Sequence, residues 1–312
     1  MSLTVVGSLN EDVIAVVERL PGRGETVIAD SVSTMPGGKG ANQAAAAGRL
    51  STGVSMVGRV GADDAGRRTI EALVEAGVDV THVIRTPAAP TGIATIPVER
   101  ASGENLILVV PGANAELRPH DVDLARVRDA DVVLVQLEIP METVLAAASS
   151  AGGRVVLNPA PSQRLPDELL AVVDLLVPNQ HELVQLTGGD VATLSDADLG
   201  GRAEALRERC RSGAAVVVTL GERGALLVTG NGPAMLQPPP PVVAVDATGA
   251  GDCFCGVLSC ALAAGQDLLT GTRSAVAAAS VSVTGAGARS ALPDAAAVAA
   301  AVAQLPEAQR VT

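Results

Sequence analysis

Short valine-rich runs alternate with helical stretches along most of this 312-residue chain, and no other feature narrows its possible folds as much. Thr4–Gly7, Val54–Gly58, Val132–Gln136, Val155–Asn158, Leu175–Val177 and Ala215–Thr219 are largely apolar, as strands buried on both faces are. Between them the spacing predicts helices over Gly40–Leu50, Ala65–Ala76 (with Ile70, Leu73 and Val74 on one side), Met141–Ala151 and Ala203–Arg211. Repetition of strand then helix implies a mostly parallel sheet covered by helices, and its regularity argues for one large α/β domain over residues 1–312. Phe254 is the sole aromatic residue, so the core must be built from Ala, Val and Leu. The same scarcity removes most platforms on which a base or a sugar face could stack.

Two stretches depart from the alternation. Residues from about 11 to 35 and from about 91 to 110 hold β-like runs, Val13–Val17, Val27–Ser31, Ile93–Val98 and Leu106–Val110, with turn signals at Pro21-Gly22 and Ser102-Gly103. Paired into a small separate sheet over the ends of the parallel strands, where open α/β sheets bind ligands, they would act as a lid. The Pro238–Pro241 run reads as a rigid entry into a further strand, Val242–Val245.

The chain carries 34 acidic and 22 basic residues, a net charge of -12 that repels phosphate backbones and anionic membranes. Neither nucleic acid nor membrane is expected as a partner. A small phosphate-bearing ligand remains open to it, because that needs only a local cluster of backbone N–H groups and a cation. The opening MSLTVVGSLNEDV has no basic segment followed by a long apolar one, and no stretch long enough to span a bilayer follows, so a cytoplasmic location is expected. Cys253, Cys255 and Cys260 crowd one predicted helix without the His or Cys-x-x-Cys partners of a zinc site, and read as core-facing thiols.

The segment richest in chemistry is Asp246-Ala-Thr-Gly-Ala-Gly-Asp252, between an apolar run and an apolar helix extending to about Ala264. Gly249 and Gly251 let the backbone turn tightly and approach a ligand, while the free N–H groups and dipole of the new helix favour an anion there. Asp252, in the first turn beside that hole, would compete with a phosphate unless it serves as base for an incoming hydroxyl. A Gly-rich turn with an Asp cap accounts for the segment equally well when it is taken alone. Pro36-Gly-Gly-Lys-Gly-Ala-Asn42-Gln precedes an Ala-rich helix and could offer backbone, Lys39 and the Asn42 amide to a polar ligand. It is not a Walker A loop, since Ser33 stands where the first Gly belongs and no Lys-Ser/Thr pair follows. Asn10 and Asp12 lie just past the first strand, at the ligand end of such a sheet, although a capped loop would explain either residue by itself.

Together these segments resemble the ribokinase branch of the PfkB carbohydrate kinase family. Gly37-Gly38-Lys39-Gly40-Ala41-Asn42 is similar to the first family signature and Asp246–Asp252 to the second. The similarity extends in order through Gly7–Asp12, Pro111–Ala115, Gln136–Glu138, Asn158–Pro161, Pro178–Glu182 and Thr219–Gly224. It implies a three-layer, Rossmann-like parallel sheet of ribokinase-like type with a small β-sheet lid. It also implies ATP-dependent phosphorylation of a sugar hydroxyl, D-ribose to ribose 5-phosphate, with Asp252 as base and Gly249, Ala250 and Gly251 as the anion hole. Asn10, Asp12, Gly38, Lys39, Asn42 and Glu138 would hold the sugar. Asn179, Thr219, Gly221, Gly224 and Val276 would border the nucleotide, Val276 standing where the family usually has a polar residue. Glu182 would organise Mg²⁺ through water, as a carboxylate suits that hard cation. Asp246, Thr248, Ser282, Gly285, Gly287 and Ala291 match the family's K⁺ site, with Ala291 in place of the frequent Ser. A homodimer formed through the lid is implied as well.

The competing readings differ in class. A nicotinamide-dependent oxidoreductase needs a G-x-G-x-x-G turn after an early strand, and neither Gly7-Ser8-Leu9 nor Gly249–Phe254 satisfies that spacing. A non-catalytic sugar-binding protein could share the fold, but Asp252 within an intact glycine hole argues against it. A nucleoside or ketohexose kinase of the same family is the nearer alternative.

Overall fold

The computed structural model describes residues 1–122, 124–189 and 194–311. Its strands are β1 (Leu3–Val6), β2 (Asn10–Val17), β3 (Ala29–Gly37), β4 (Val54–Gly61), β5 (Asp79–Thr86), β6 (Gly92–Glu99), β7 (Leu108–Val110), β8 (Val132–Val135), β9 (Arg154–Leu157), β10 (Leu175–Leu176), β11 (Ala215–Thr219), β12 (Ala225–Val228), β13 (Met235–Gln237) and β14 (Gln309–Arg310). A ten-stranded sheet runs β14-β13-β12-β11-β10-β9-β8-β1-β4-β5, and a four-stranded sheet runs β3-β2-β6-β7. From β11 to β5 the large sheet is parallel, while β12, β13 and β14 extend it antiparallel.

Side-chain alternation on the central strands builds two cores from one sheet. Val5 of β1 and Val132 and Leu134 of β8 pack beneath the helices Lys39–Gly48, Ala250–Ala263 and Leu268–Ser282. Val6, Val133 and Val135 pack on the other face, beneath Met141–Ser150 and Asp196–Arg207. The result is the three-layer α/β arrangement expected from the valine runs. The chain leaves β1 for β4 and β5 on one side and later returns to β8, β9 and β10 on the other. The order therefore reverses between β1 and β8, and a crevice opens outside their carboxyl ends.

The helices meet closely because their facing residues are small. A Cβ on Gly256 would lie 2.2 Å from the Gln43 carbonyl oxygen and 3.1 Å from Ala46 Cβ, so the 250–263 helix seats directly on the Ala-rich 39–48 helix. That contact brings the second signature against the first.

Three expectations need correction. Val242–Val245 forms no strand: Val243 and Val245 are exposed and no neighbouring strand accepts the segment. Its Val242 and Ala244 instead line a hollow described below. The Ala203–Arg211 helix actually spans Asp196–Arg207, because a capping box between Ser195 and Asp198 starts it earlier. The run Val27–Ser31 also shifts, pairing with β2 as Ala29–Gly37. None of the helices among the described residues is long and apolar enough to cross a membrane.

Candidate active site

The crevice between β1 and β8 is polar because the residues that follow each strand are polar. Ser8, after β1, donates from Oγ to Glu138 Oε2 at 2.5 Å, and the Lys39 backbone N–H donates to the same oxygen at 3.1 Å. Glu138 thus joins the end of β8 to the start of the 39–48 helix. Asn10 is buried, and its Oδ1 accepts from Asn114 Nδ2 at 2.7 Å. Asn114 in turn brackets Leu9, accepting from its N–H at 2.9 Å and donating to its carbonyl at 3.1 Å. Asp12, on β2, rises beside Gly37, where any Cβ would fall about 2.1 Å from its Oδ1. Burial pushes the Asp12 carboxyl up to about 6, against the lowering pull of Arg289. Asn10, Asp12, Gly38, Lys39, Asn42, Glu138 and Asp252 line one hollow of about 430 Å³. Ala94, Ile96 and Val109 of the small sheet, with Asn105 and Ile107 from the connection between β6 and β7, line its wall as well.

Asp252 occupies the first turn of the Ala250–Ala263 helix and is 8% exposed. Its Oδ2 accepts from Asn42 Nδ2 and its Oδ1 from Gln43 Nε2, both at 3.0 Å. Each oxygen holds one donor and retains a lone pair for a further proton. Gly249, at the N-cap, takes a left-handed φ of 75°, and a Cβ there would meet Ala288 Cβ at 2.6 Å. Glycine is therefore required at this turn, where the Ala250 N–H donates to the Ala247 carbonyl at 3.2 Å and the N–H groups that follow in the first turn have no partner within the helix.

On the far side of those N–H groups lie two more hollows. A smaller one, of about 210 Å³, is lined by Lys39, Asn158, Asn179, Glu182, Thr219, Gly249, Gly251 and Asp252 among others. Asn179 and Glu182 are held there by a capping box, the Asn179 side chain accepting from the Glu182 N–H and the Glu182 carboxylate from the Asn179 N–H, each at 2.8 Å. Burial pushes the Glu182 carboxyl up. Lys39 borders the 430 Å³ hollow as well, and its pKa is raised, chiefly by the field of Asp252. The larger hollow, about 740 Å³, is mostly apolar: Thr219, Gly221, Gly224, Ala250, Gly251 and Val276 line it with Pro238–Val242, Phe254 and Val283. The one aromatic side chain of the protein faces this space, as does the segment mistaken for a strand.

The residues proposed for K⁺ adjoin the glycine turn. Asp246 accepts from Thr248 N–H at 2.8 Å and from Gly287 N–H at 2.7 Å, which ties the 246–248 segment to the loop after the Leu268–Ser282 helix. Gly285 and Ala291 face each other across that loop, since a Cβ on Gly285 would lie 2.7 Å from Ala291 Cβ. The Ser282 hydroxyl donates to the Ala279 carbonyl at 2.8 Å. Backbone carbonyls and the Asp246 carboxylate are oxygen donors suited to a hard monovalent cation, and this part of the site fits one. No cluster of three or more His, Cys, Asp or Glu among the described residues would by itself hold a metal ion.

Sequence reasoning missed Gln43 and Arg289. Gln43 links Asp252 to Asn158 and accepts from Gln136 Nε2 at 2.7 Å. Its signal is a second amide, next to Asn42, at the head of a run of buried alanines. Arg289 Nε donates to Asn42 Oδ1 at 2.8 Å and Nη2 to the Gly37 carbonyl at 3.2 Å. A single cation in a loop of Gly, Ala and Ser was its only mark.

Comparison with known proteins agrees with this geometry. The sequence model of the pfkB family carbohydrate kinase matches residues 1–295. A ribokinase of Haemophilus influenzae is 37% identical over 297 residues, covering 94% of this chain and 95% of the relative. A deoxyribokinase of Salmonella typhi is 37% identical over 299 residues, covering 94% and 96%. The solved structure of Arabidopsis thaliana ribokinase complexed with ribose and ATP superposes with a TM-score of 0.87 at 35% identity, covering 96% of this chain and 98% of that one.

Proposed function

This chain belongs to the pfkB family of carbohydrate kinases, and from that premise we propose that it transfers the γ-phosphoryl group of ATP to the 5-hydroxyl of D-ribose. The observation that carries this reading is the position of Asp252. It stands between a polar hollow sized for a small sugar and a helix N-terminus that opens on a second hollow, with both oxygens oriented by amide donors.

In this mechanism Asn10, Asp12, Gly38, Lys39, Asn42 and Glu138 hold the sugar hydroxyls and leave the primary hydroxyl facing Asp252. Asp252 takes the proton of that hydroxyl as its oxygen attacks phosphorus. The N–H groups of Gly249 and Gly251, with that of Ala250 once it leaves the Ala247 carbonyl, would face the charge that develops on the equatorial oxygens, and Lys39 adds a cation from the acceptor side. Thr219, Gly221, Gly224 and Val276 border the nucleoside, with Phe254 and Pro238–Val242 as apolar walls. Mg²⁺ bound with ATP would supply charge neutralisation, with Asn179 and Glu182 organising its water shell. K⁺ held by Asp246, Thr248, Ser282, Gly285, Gly287 and Ala291 would stiffen the glycine turn from behind. The small sheet serves as lid, excluding water once Ile96, Ile107 and Val109 close on the sugar. Its exposed Ile28, Val32, Leu106, Leu108 and Val110 support pairing with the lid of a second copy.

The similarity to a deoxyribokinase supports a second acceptor, 2-deoxy-D-ribose. Parallel ADP-coupled assays with D-ribose, 2-deoxy-D-ribose, hexoses and nucleosides distinguish these readings, and phosphorus NMR of the product gives the carbon phosphorylated. Asp252→Asn removes the proton acceptor but keeps the shape of the side chain. Turnover should fall by roughly 10²–10⁴-fold, with sugar affinity changed less. A folded variant within a few-fold of the parent would place the base elsewhere.

A further inference from the structure

We propose that Arg289 is a positioning residue for phosphoryl transfer: its guanidinium fixes the Asn42 amide with Nδ2 turned towards Asp252, so that presentation of the base depends on the Gly285–Ala291 loop. The proposal rests on the reading of Asp252 as proton acceptor.

An asparagine amide has two orientations of nearly equal shape, and only one is compatible with a carboxylate neighbour. With Oδ1 turned to Asp252, two oxygens would face each other; with Nδ2 turned to it, a hydrogen bond of 3.0 Å forms. Arg289 decides between them because a guanidinium has donors and no acceptor. Its Nε–H occupies Asn42 Oδ1 at 2.8 Å and leaves only Nδ2 for the carboxylate. A second donor, Nη2, reaches the Gly37 carbonyl at 3.2 Å, at the end of β3. Two anchors fix the plane of the group, which a lysine could not reproduce.

The cost of this placement points the same way. Arg289 Nη1 is shielded from solvent and has no hydrogen-bond partner among the described residues. A buried, incompletely paired guanidinium is a poor way to stabilise a fold, and an aliphatic side chain of similar length would avoid the penalty. The carboxylates of the site hold the charge in place. Asp12 and Asp252 are the two carboxylates whose fields act on Arg289, and both line the acceptor hollow. Arg289 itself does not line that hollow, so it acts through Asn42 without touching the sugar.

The same residue links parts of the site that are far apart in sequence. Arg289 lies in the loop that contains Gly287, whose N–H is held by Asp246, and a Cβ on Gly287 would meet Met35 Sδ of β3 at 3.0 Å. The loop behind the glycine turn therefore touches both the lid strand and, through Arg289, the amide that orients Asp252.

The test begins with the parent enzyme, ATP and D-ribose or 2-deoxy-D-ribose. Without sugar-dependent ADP release the function proposed above fails, independently of Arg289. With an active parent, Arg289→Met should lower kcat roughly 10- to 100-fold, the scale expected when a reacting group is misplaced by a fraction of an ångström to 1 Å. KM for ATP should stay within about 2-fold. Asn42→Ala combined with Arg289→Met should turn over no more slowly than Asn42→Ala alone, because the arginine acts through the amide. Added guanidinium ion should restore part of the activity of Arg289→Ala. A folded Arg289→Met with parental kcat, or losses that multiply in the double variant, would overturn the proposal. Should the methionine variant not fold, Arg289→Gln, which offers a shorter donor, takes its place in the same cycle with the same two overturning results.

Discussion

Replacing Asp12 by Asn should make the ligand-free protein more stable at neutral pH and a worse enzyme. Burial holds the Asp12 carboxyl near 6 in the folded protein, against 3.8 for the free side chain. Because the folded-state value is the higher one, the native protein binds the proton more tightly than the unfolded chain does. Stability attributable to Asp12 is therefore highest below about pH 4 and falls as pH rises through the interval to about 6, where the folded protein must ionise a buried group. A shift of about 2 units corresponds to about 3 kcal/mol at neutral pH. Asn carries no such penalty and keeps most of the shape. Urea unfolding of both proteins at several pH values gives the difference directly, and other titrating groups largely cancel. The stability advantage of Asp12→Asn should grow by about 2 kcal/mol between about pH 4.5 and about pH 7.5. In the same variant kcat/KM for the sugar should fall roughly 10- to 100-fold, as loss of a charged hydrogen-bond acceptor costs. The acid limb near pH 6 in the parent's kcat/KM should also disappear. A difference curve flat with pH, or a variant less stable than the parent at neutral pH, would refute the assignment of Asp12 as a buried group held ready for sugar hydroxyls.

The glycine turn offers a paired comparison. Gly249→Ala must place a side chain at φ 75° and 2.6 Å from Ala288 Cβ, so it should lose both stability, by about 1–2 kcal/mol or more in a melting experiment, and turnover, by about 10²-fold. Gly251→Ala meets nothing within 4 Å and lies in the helix, so its melting temperature should match the parent's while ATP turnover falls, because its methyl group enters the space reserved for phosphate. Asp246→Ala removes the acceptor of two backbone N–H groups; steady-state assays in K⁺ and Na⁺ should show lower turnover and a smaller difference between the two salts than in the parent.

What could be read from the sequence was whatever depends on neighbours in the chain. The valine runs of β1, β4, β8, β9 and β11 declare themselves because a strand buried on both faces needs no partner to look apolar. The signature segments are equally local: a glycine with positive φ, a helix start and a carboxylate one turn in. Val242–Val245 misled for the same reason, since local hydropathy cannot distinguish a strand from an apolar wall of a ligand cleft. The antiparallel strands β12, β13 and β14 escaped notice because they are short and join Gly- and Pro-rich segments, and β14 pairs with β13 only after the chain returns from the helix Ala295–Val302. The acceptor residues could be assembled into a group only through resemblance to a family, because Asn10, Asp12, Asn42, Glu138 and Asp252 are separated by up to 242 residues in the sequence.

Arg289 and Gln43 show why the remainder was out of reach. Each acts by touching a residue already singled out, and the contacts depend on how closely two helices and one loop approach. Gly256 against the Gln43 carbonyl, with Ala46 beside it, sets the separation of the helices that carry Asn42 and Asp252. A larger residue at either place would withdraw both amides from the carboxylate, yet in the sequence these are unremarked small residues in helices full of alanine. The chemistry of the site is thus set partly by the absence of side chains. An Ala- and Gly-rich interface gives up the apolar area that larger residues would bury, and in return it lets polar groups from remote segments reach one carboxylate.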